Sequence, residues 1–374
     1  MESNKMRKHI IAVLLALLPC SFACAREGRW SEEKAQAWWA ATEWPVGCCY
    51  VPTYAINQLE MWQEETFNPK VLDREFALCE ELGFNVVRIY LHELLWFQDA
   101  KGFKKRIDQV LSLAAAHGLK VTFTFCTNGG GEEKAGPQPE KVAGTHGSGH
   151  WAHSPVDRIF FHEENWGEFK AYLQDILSSF GDDKRILYWC LYNEPENVKD
   201  GRNCLVFMKE MYKWAWEVRP SQPLTSPIWI RPGYKGAKTR LEMVSFVCEN
   251  SDILCFHCYY PPEELNTFIQ MLSRYHRPMV CQEYMARTLG STFRDCLPIF
   301  KREKVGCLNW GLAEGKCEYR FPWGAKPEDG EPKVWFHSIF WHDYTPYDPQ
   351  EVAFIKSVTA DKTTAGKDAK YPLQ

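Results

Sequence analysis

Short apolar runs alternate with amphipathic stretches from residue 45 onward. The pattern predicts strands over 46–50, 85–91, 120–126, 186–192, 223–229, 253–259, 278–283 and 305–310. Between them, helical spacing covers 68–82, 106–117, 164–180, 204–218, 238–249, 263–275 and 291–303. Punctuation agrees with the periodicity. Asn68 and Pro69 open the first of these helices and Gly83 ends it, Gly118 closes the second, and Pro220 stops the fourth. A further helix is expected over 31–41, ahead of the first strand, where it could cover the N-terminal end of the sheet. The residues from about 360 to the end are polar and read as a frayed tail.

Eight strands alternating with helices demand a parallel sheet with its outer face clothed by helices. At this count and length the simplest closure is a (β/α)8 TIM barrel, a single domain over 26–374. A doubly wound open sheet is the rival, but no Gly-rich phosphate loop follows the first strand. Two connections exceed ordinary length, 127–162 after the third strand and 311–349 after the eighth. Both leave C-terminal strand ends, the face on which barrel active sites form, and both carry Gly, Trp and His.

Composition changes the picture little. Apolar residues make up 45% and charged residues 25%, which is globular and ordered. The 16 Trp and 16 Tyr suit either core packing or the stacking of sugar C–H faces. Lys5, Arg7 and Lys8 precede an apolar run over 10–18, and Ala23-Cys24-Ala25 offers small residues for signal peptidase, so 1–25 reads as a cleaved export signal. The run is too short to span a bilayer comfortably. Lipoprotein anchoring at Cys20 or Cys24 is the weaker alternative, because Pro19 and Phe22 stand where small residues are wanted. The expected location is periplasmic or extracellular. A net charge of −4 argues against a nucleic-acid partner. Oligomeric state is not legible.

The 15 Cys include Cys20 and Cys24 of the leader, leaving an odd number. Cys126, Cys190, Cys255, Cys281 and Cys307 sit inside apolar runs, as small hydrophobes do. Cys255 and Cys258 form C-x-x-C, but residues three apart on a strand face opposite sides, so a shared metal is not expected. His146, His150 and His153 in the first long loop have no helix to align them and no carboxylate among them. A cleft wall with Trp151 as a stacking ring fits better than zinc. No metal or cofactor is called for.

Two acids stand out. The fourth strand runs into Asn193-Glu194-Pro195 and the seventh into Gln282-Glu283-Tyr284. Either Glu alone could be a structural acid paired with Arg or capping a helix. Two at C-terminal strand ends of one barrel are what acetal cleavage needs. One protonates the leaving oxygen, and the other attacks the anomeric carbon or activates water. His92, Glu93 and Trp96 after the second strand, and Glu314 after the eighth, are further candidates for the cleft or its rim.

The run Leu191-Tyr192-Asn193-Glu194-Pro195 resembles the acid/base motif of glycoside hydrolase clan A, and the cellulase-like family five enzymes are the relatives it is most similar to. The resemblance covers the mature chain in strand order and is specific only in short motifs. It implies Glu194 as general acid/base, Glu283 as nucleophile, and Asn193 as holder of the sugar 2-hydroxyl. By the same resemblance Arg88, in Val86-Val87-Arg88-Ile89-Tyr90, lies below the nucleophile and keeps it ionised. Like-charge repulsion from Glu283 is then expected to raise the pKa of Glu194. His257 and Tyr259 match the family's His-x-Tyr supporting both acids, and Trp310 matches the aromatic floor under the cleaved sugar. The chain departs from these cellulases where the third strand ends, in Phe125-Cys126-Thr127-Asn128, at a position they commonly give to His. The adjoining subsite, with Asn128 as its candidate contact, is therefore altered. The segment from Gly47 to Ala55, with Glu60-Met61-Trp62, resembles a xylanase-like subgroup. The expected function is a secreted, retaining β-glycosidase acting by double displacement on a β-linked glycan or oligosaccharide. A silent sugar-binding barrel and a transglycosylase are the alternatives. Sugar, linkage and endo or exo action are not legible.

Overall fold

The computed structural model describes residues 28–130, 134–198, 200–230 and 238–362. The expected export signal and nearly all of the expected frayed tail lie outside them. Nine strand pieces form one sheet: β1 (Val46–Cys49), β2 (Val86–Tyr90), β3 (Lys120–Cys126), β4 (Ile186–Tyr192), β5 (Leu224–Thr225), β6 (Pro227–Ile228), β7 (Leu254–Cys258), β8 (Met279–Tyr284) and β9 (Gly306–Trp310). Their order is β5-β4-β3-β2-β1-β9-β8-β7-β6. Every pairing is parallel.

β5 and β6 are the expected fifth strand, broken at Ser226. Thr225 still pairs with β4 and Pro227 with β7, so the chain itself carries the ring round to closure. Side chains replace part of the ladder at the break: Tyr192 donates its N–H to Ser226 Oγ at 3.2 Å and Thr225 Oγ donates to the Ile253 carbonyl at 2.9 Å. Pro227, with no N–H to give, sits where that donor is least missed. The architecture is thus a (β/α)8 barrel.

Helix boundaries follow their caps. Asn68 accepts from Val71 N–H at the start of the helix Pro69–Glu81, and Gly83 leaves it at φ +69°. The stretch expected to be helical only over 106–117 is helical from Glu93 to Ala116, bent at Asp99 (φ −158°, ψ 77°). Asp99 caps a second start by accepting from Gly102 N–H at 2.8 Å. At the bottom of the barrel the helix Glu32–Ala40 turns Trp39 inward against Val86, Leu187, Ile253, Val280 and Leu308, plugging the N-terminal end. All thirteen described cysteines are buried, and none of them forms a disulfide. Cys255 faces this inner cluster and Cys258 the outer core, so the C-x-x-C does not converge.

The two long loops meet over the mouth. Lys141 pairs with Glu318 at 3.1 Å, and Gly144 N–H donates to the same carboxylate at 2.9 Å. Ser148 Oγ donates to the Lys316 carbonyl at 2.6 Å. The first loop is also pinned to the segment after β1, where Asn57 Nδ2 donates to the His150 carbonyl at 3.0 Å and Gln63 Nε2 to the Gly136 carbonyl at 2.9 Å. The result is one continuous wall above β1 and β9.

Candidate active site

Glu283 is the penultimate residue of β8, and three donors converge on it. Arg88 Nη1 reaches Oε1 at 2.7 Å, the Tyr90 hydroxyl donates to the same oxygen at 3.0 Å, and the Tyr259 hydroxyl donates to Oε2 at 2.7 Å. Arg88 and Tyr90 share a face of β2 because strand side chains repeat every second residue, and the guanidinium lies 4.7 Å from the Tyr90 ring centroid. The same guanidinium fixes a second residue. Nη2 donates to Asn193 Oδ1 at 2.7 Å, with the Tyr90 hydroxyl at 3.3 Å. The guanidinium can only donate, so it settles which end of the amide is which: Asn193 Nδ2, the donor end, is left for the cavity.

Glu194 follows β4 in a left-handed conformation, φ 49° and ψ 57°. Pro195 bars its predecessor from continuing into a right-handed turn, and a non-glycine residue held here is strained. The turn sets Glu194 across from Glu283. Its Oε1 lies 2.6 Å from His257 Nδ1, and Asn197 Nδ2 donates to Oε2 at 3.1 Å. The β7–β8 register pairs His257 with Glu283, so Nδ1 also stands 3.3 Å from Glu283 Oε2. Burial pushes the Glu194 carboxyl up to about 7, against the opposing pull of the Asn197 hydrogen bond and Arg88. The rise was expected from the charge of Glu283; desolvation is its cause instead. Burial likewise holds His257 down at about 3, so that its ring is neutral.

The two carboxyls open onto a cavity of about 530 Å³ that Asn193, Asn128, Trp151, Tyr259 and Trp310 also line. Asn128 donates to the Glu194 carbonyl at 3.3 Å and accepts from the Tyr192 hydroxyl at 3.3 Å, bracing the turn that carries the acid. Trp151 stands edge-on to Tyr90 at 5.0 Å and to Trp310 at 6.1 Å. Arg88 and His257, expected to support the acids and counted with the substrate site, stand one layer behind the lining. Both are buried, and both reach the cavity only through the acids they hold.

Other candidates fall away. Glu93 is buried and accepts from Ser154 Oγ and Val156 N–H at 2.6 Å each, anchoring the return of the first long loop. His92 bonds the His153 carbonyl at 2.9 Å, and Trp96 donates to Asp175 on the outer helices at 2.6 Å. Glu314 accepts from Arg320 and Ser338 within the second long loop. These are braces rather than cleft groups. Sequence reasoning overlooked Tyr90, Asn197, Trp229, Tyr319, Trp323 and His337. Tyr90 was within reach, two residues from Arg88 on one strand face. Trp229 was within reach too, as the last residue of the expected fifth strand, whereas the others lie in segments without periodicity to place them.

Glu194, His257 and Glu283 each offer an atom within 4.8 Å of the others, a grouping that could in principle hold a cation. The same atoms are already engaged by the Arg88 guanidinium and the His257 ring, and a divalent ion would face that guanidinium at close range. The donor set fits a metal poorly.

No protein-family model and no curated protein matches the chain. Solved structures do. An exo-β-1,4-mannosidase from Opitutaceae bacterium strain TAV5 aligns at 17% identity and a TM-score of 0.56, covering 85% of this chain and 60% of that one. This chain therefore spans 60% of the length of that enzyme. An endo-β-1,4-mannanase from Thermotoga petrophila aligns at 15% identity and TM-score 0.55, covering 89% and 80%. The GH5_18 protein from Streptomyces cattleya in complex with GlcNAc gives 11%, 0.57, 88% and 81%. The barrel is therefore the one these glycoside hydrolases use, in agreement with the clan and family resemblance. The xylanase-like subgroup has no counterpart among these three.

Proposed function

We propose that the protein is a retaining β-glycosidase, exported by its N-terminal leader, that uses Glu283 as nucleophile and Glu194 as acid and then base. The observation that carries this reading is the closeness of the two carboxyls, one oxygen of each lying within 4.8 Å of the other. Retaining enzymes set their acids about 5–5.5 Å apart, whereas inversion needs roughly 6.5–9.5 Å to admit a water between acid and sugar.

The chemistry follows from the contacts. The guanidinium and two phenols hold Glu283 so that one oxygen can approach the anomeric carbon. Glu194, with its pKa near 7, keeps a proton to hand to the departing oxygen. If His257 Nδ1–H occupies Glu194 Oε1, the transferable proton sits on Oε2, beside Asn197. Once the leaving group has gone, Glu194 is a carboxylate and draws a proton from the water that releases the sugar. Asn193 Nδ2 offers its hydrogen to the 2-hydroxyl, an interaction that strengthens as charge develops at the neighbouring carbon. The β-mannosides are the first substrates to try, given what the similar structures are named for, and the β-glucosides come next, given the cellulase-like resemblance.

The test is stereochemical. Proton NMR of an aryl β-glycoside digest should show the β-hemiacetal first, with the α-anomer growing in only by mutarotation. An α-anomer as first product contradicts the reading.

A further inference from the structure

The wall over β1 and β9 brings two imidazoles to the cavity that the proposed chemistry does not use. His146 comes from the first long loop and His337 from the second, and their ring centroids are 5.3 Å apart. A backbone carbonyl fixes the tautomer of each. His146 Nδ1 donates to the Phe321 carbonyl at 2.8 Å and His337 Nδ1 to the Met285 carbonyl at 2.6 Å. A carbonyl can only accept, so the proton of each ring lies on Nδ1 and each Nε2 keeps a lone pair. His337 is fully buried, yet its Nε2 has no hydrogen-bond partner among the described residues. A buried acceptor left unpaired in a residue that lines a cavity is a group awaiting a donor. Burial depresses both pKa values, that of His146 to about 4, so both rings stay neutral acceptors near pH 7.

Position says which donor. The leaving group departs over its acid, Glu194, at the end of β4. β9 lies four places from β4 in the strand order, across the barrel mouth. Whatever is attached to the attacked sugar through its other hydroxyls therefore points at the wall. Trp229 and Asn197 line the Glu194 side and remain for the leaving group.

Resting on the glycosidase reading, we propose that the wall makes the enzyme act from the non-reducing chain end, accepting one terminal sugar whose free hydroxyls donate to Nε2 of His146 and His337. A chain extended past that sugar would have to pass through the tied loops.

The test gives the wild-type protein reducing-end-labelled mannotetraose and cellotetraose, together with p-nitrophenyl β-mannoside and β-glucoside. The labelled trisaccharide should appear first and the disaccharide after it. His337→Phe and His146→Phe should each raise KM for the better aryl glycoside about tenfold, with kcat changed less. Because a buried ring is being replaced, wild-type protein is also given monodeoxy aryl glycosides. At least one should show the same loss, and it should lose nothing further in the matching variant. Internal cutting, with labelled disaccharide before trisaccharide, overturns the proposal. So do variants within about a factor of two of wild type while every deoxy substrate behaves like its parent. Either result leaves the glycosidase reading standing, whereas inertness toward all the aryl glycosides removes both.

Discussion

In the proposed mechanism Glu194 needs a proton for the first step and must lack it for the second, and its environment sits between the two. Its pKa of about 7 makes the protonated acid the form that falls away as pH rises. The alkaline limb of kcat/KM should therefore fall through about pH 7. Glu194→Ala should cut turnover of a glycan with a poor leaving group by about 10²–10⁴-fold. It should spare the first step on a nitrophenyl glycoside, whose phenol leaves unaided. Azide, which needs no base, should then restore turnover and yield the β-glycosyl azide, and the limb near pH 7 should vanish from the rescued reaction. Rescue with that limb intact would place the titrating acid elsewhere. Both Glu194 and Glu283 were legible from strand-end position and motif. The physical origin of the Glu194 shift was not, because desolvation depends on walls supplied by residues far away in sequence.

The short turn Pro195–Asn197 after β4 shows the same effect without the catalysis. Its Glu196 accepts the backbone N–H groups of Trp229 and Ile230, tying the acid's turn to the end of β6. Its Oε2 is buried with no partner among the described residues, and burial, helped by the charge of Glu194, lifts the carboxyl to about 7. A raised carboxyl pKa means that the folded chain holds a proton the unfolded chain has released. Stability from this group is then full below the ordinary carboxylate range and is lost as pH rises through about 7. Glu196→Gln keeps the acceptor and cannot ionise. Thermal unfolding should show little difference near pH 5 and a gain of about 1–3 kcal/mol for the variant near pH 8. A variant less stable near pH 8 would show that the charge is tolerated there. Elements themselves were read well where caps and period agreed, as at Asn68 and Gly83. The early part of the helix Glu93–Ala116 escaped because it bends at Asp99 and contains Gly102, which blurs the period. The break in the fifth strand escaped because side chains of Ser226 and Thr225, not periodicity, hold it.

At the scale of the whole molecule, eight alternations of strand and helix were enough to anticipate a closed ring, because parallel strands must be covered and the last must find the first. That the two long loops would wall the cleft was legible, but the way they tie to each other was not. The two long loops are tied by contacts more than 160 residues apart in sequence, such as Ser148 with Lys316, and neither loop has a repeat that would reveal its partner. The central claim concerns the molecule as a unit: the barrel brings Glu283 against an anomeric carbon and forms a bond to it. A 2-deoxy-2-fluoro glycoside with a dinitrophenyl leaving group tests that most directly. The fluorine slows both steps, and the activated leaving group lets the first outrun the second. Mass spectrometry of the intact protein should show one added fluoroglycosyl unit per chain, located by peptide mapping on Glu283 and absent from Glu283→Ala. An adduct on any other residue, or a protein that turns over ordinary aryl glycosides but never gains mass, would contradict the account.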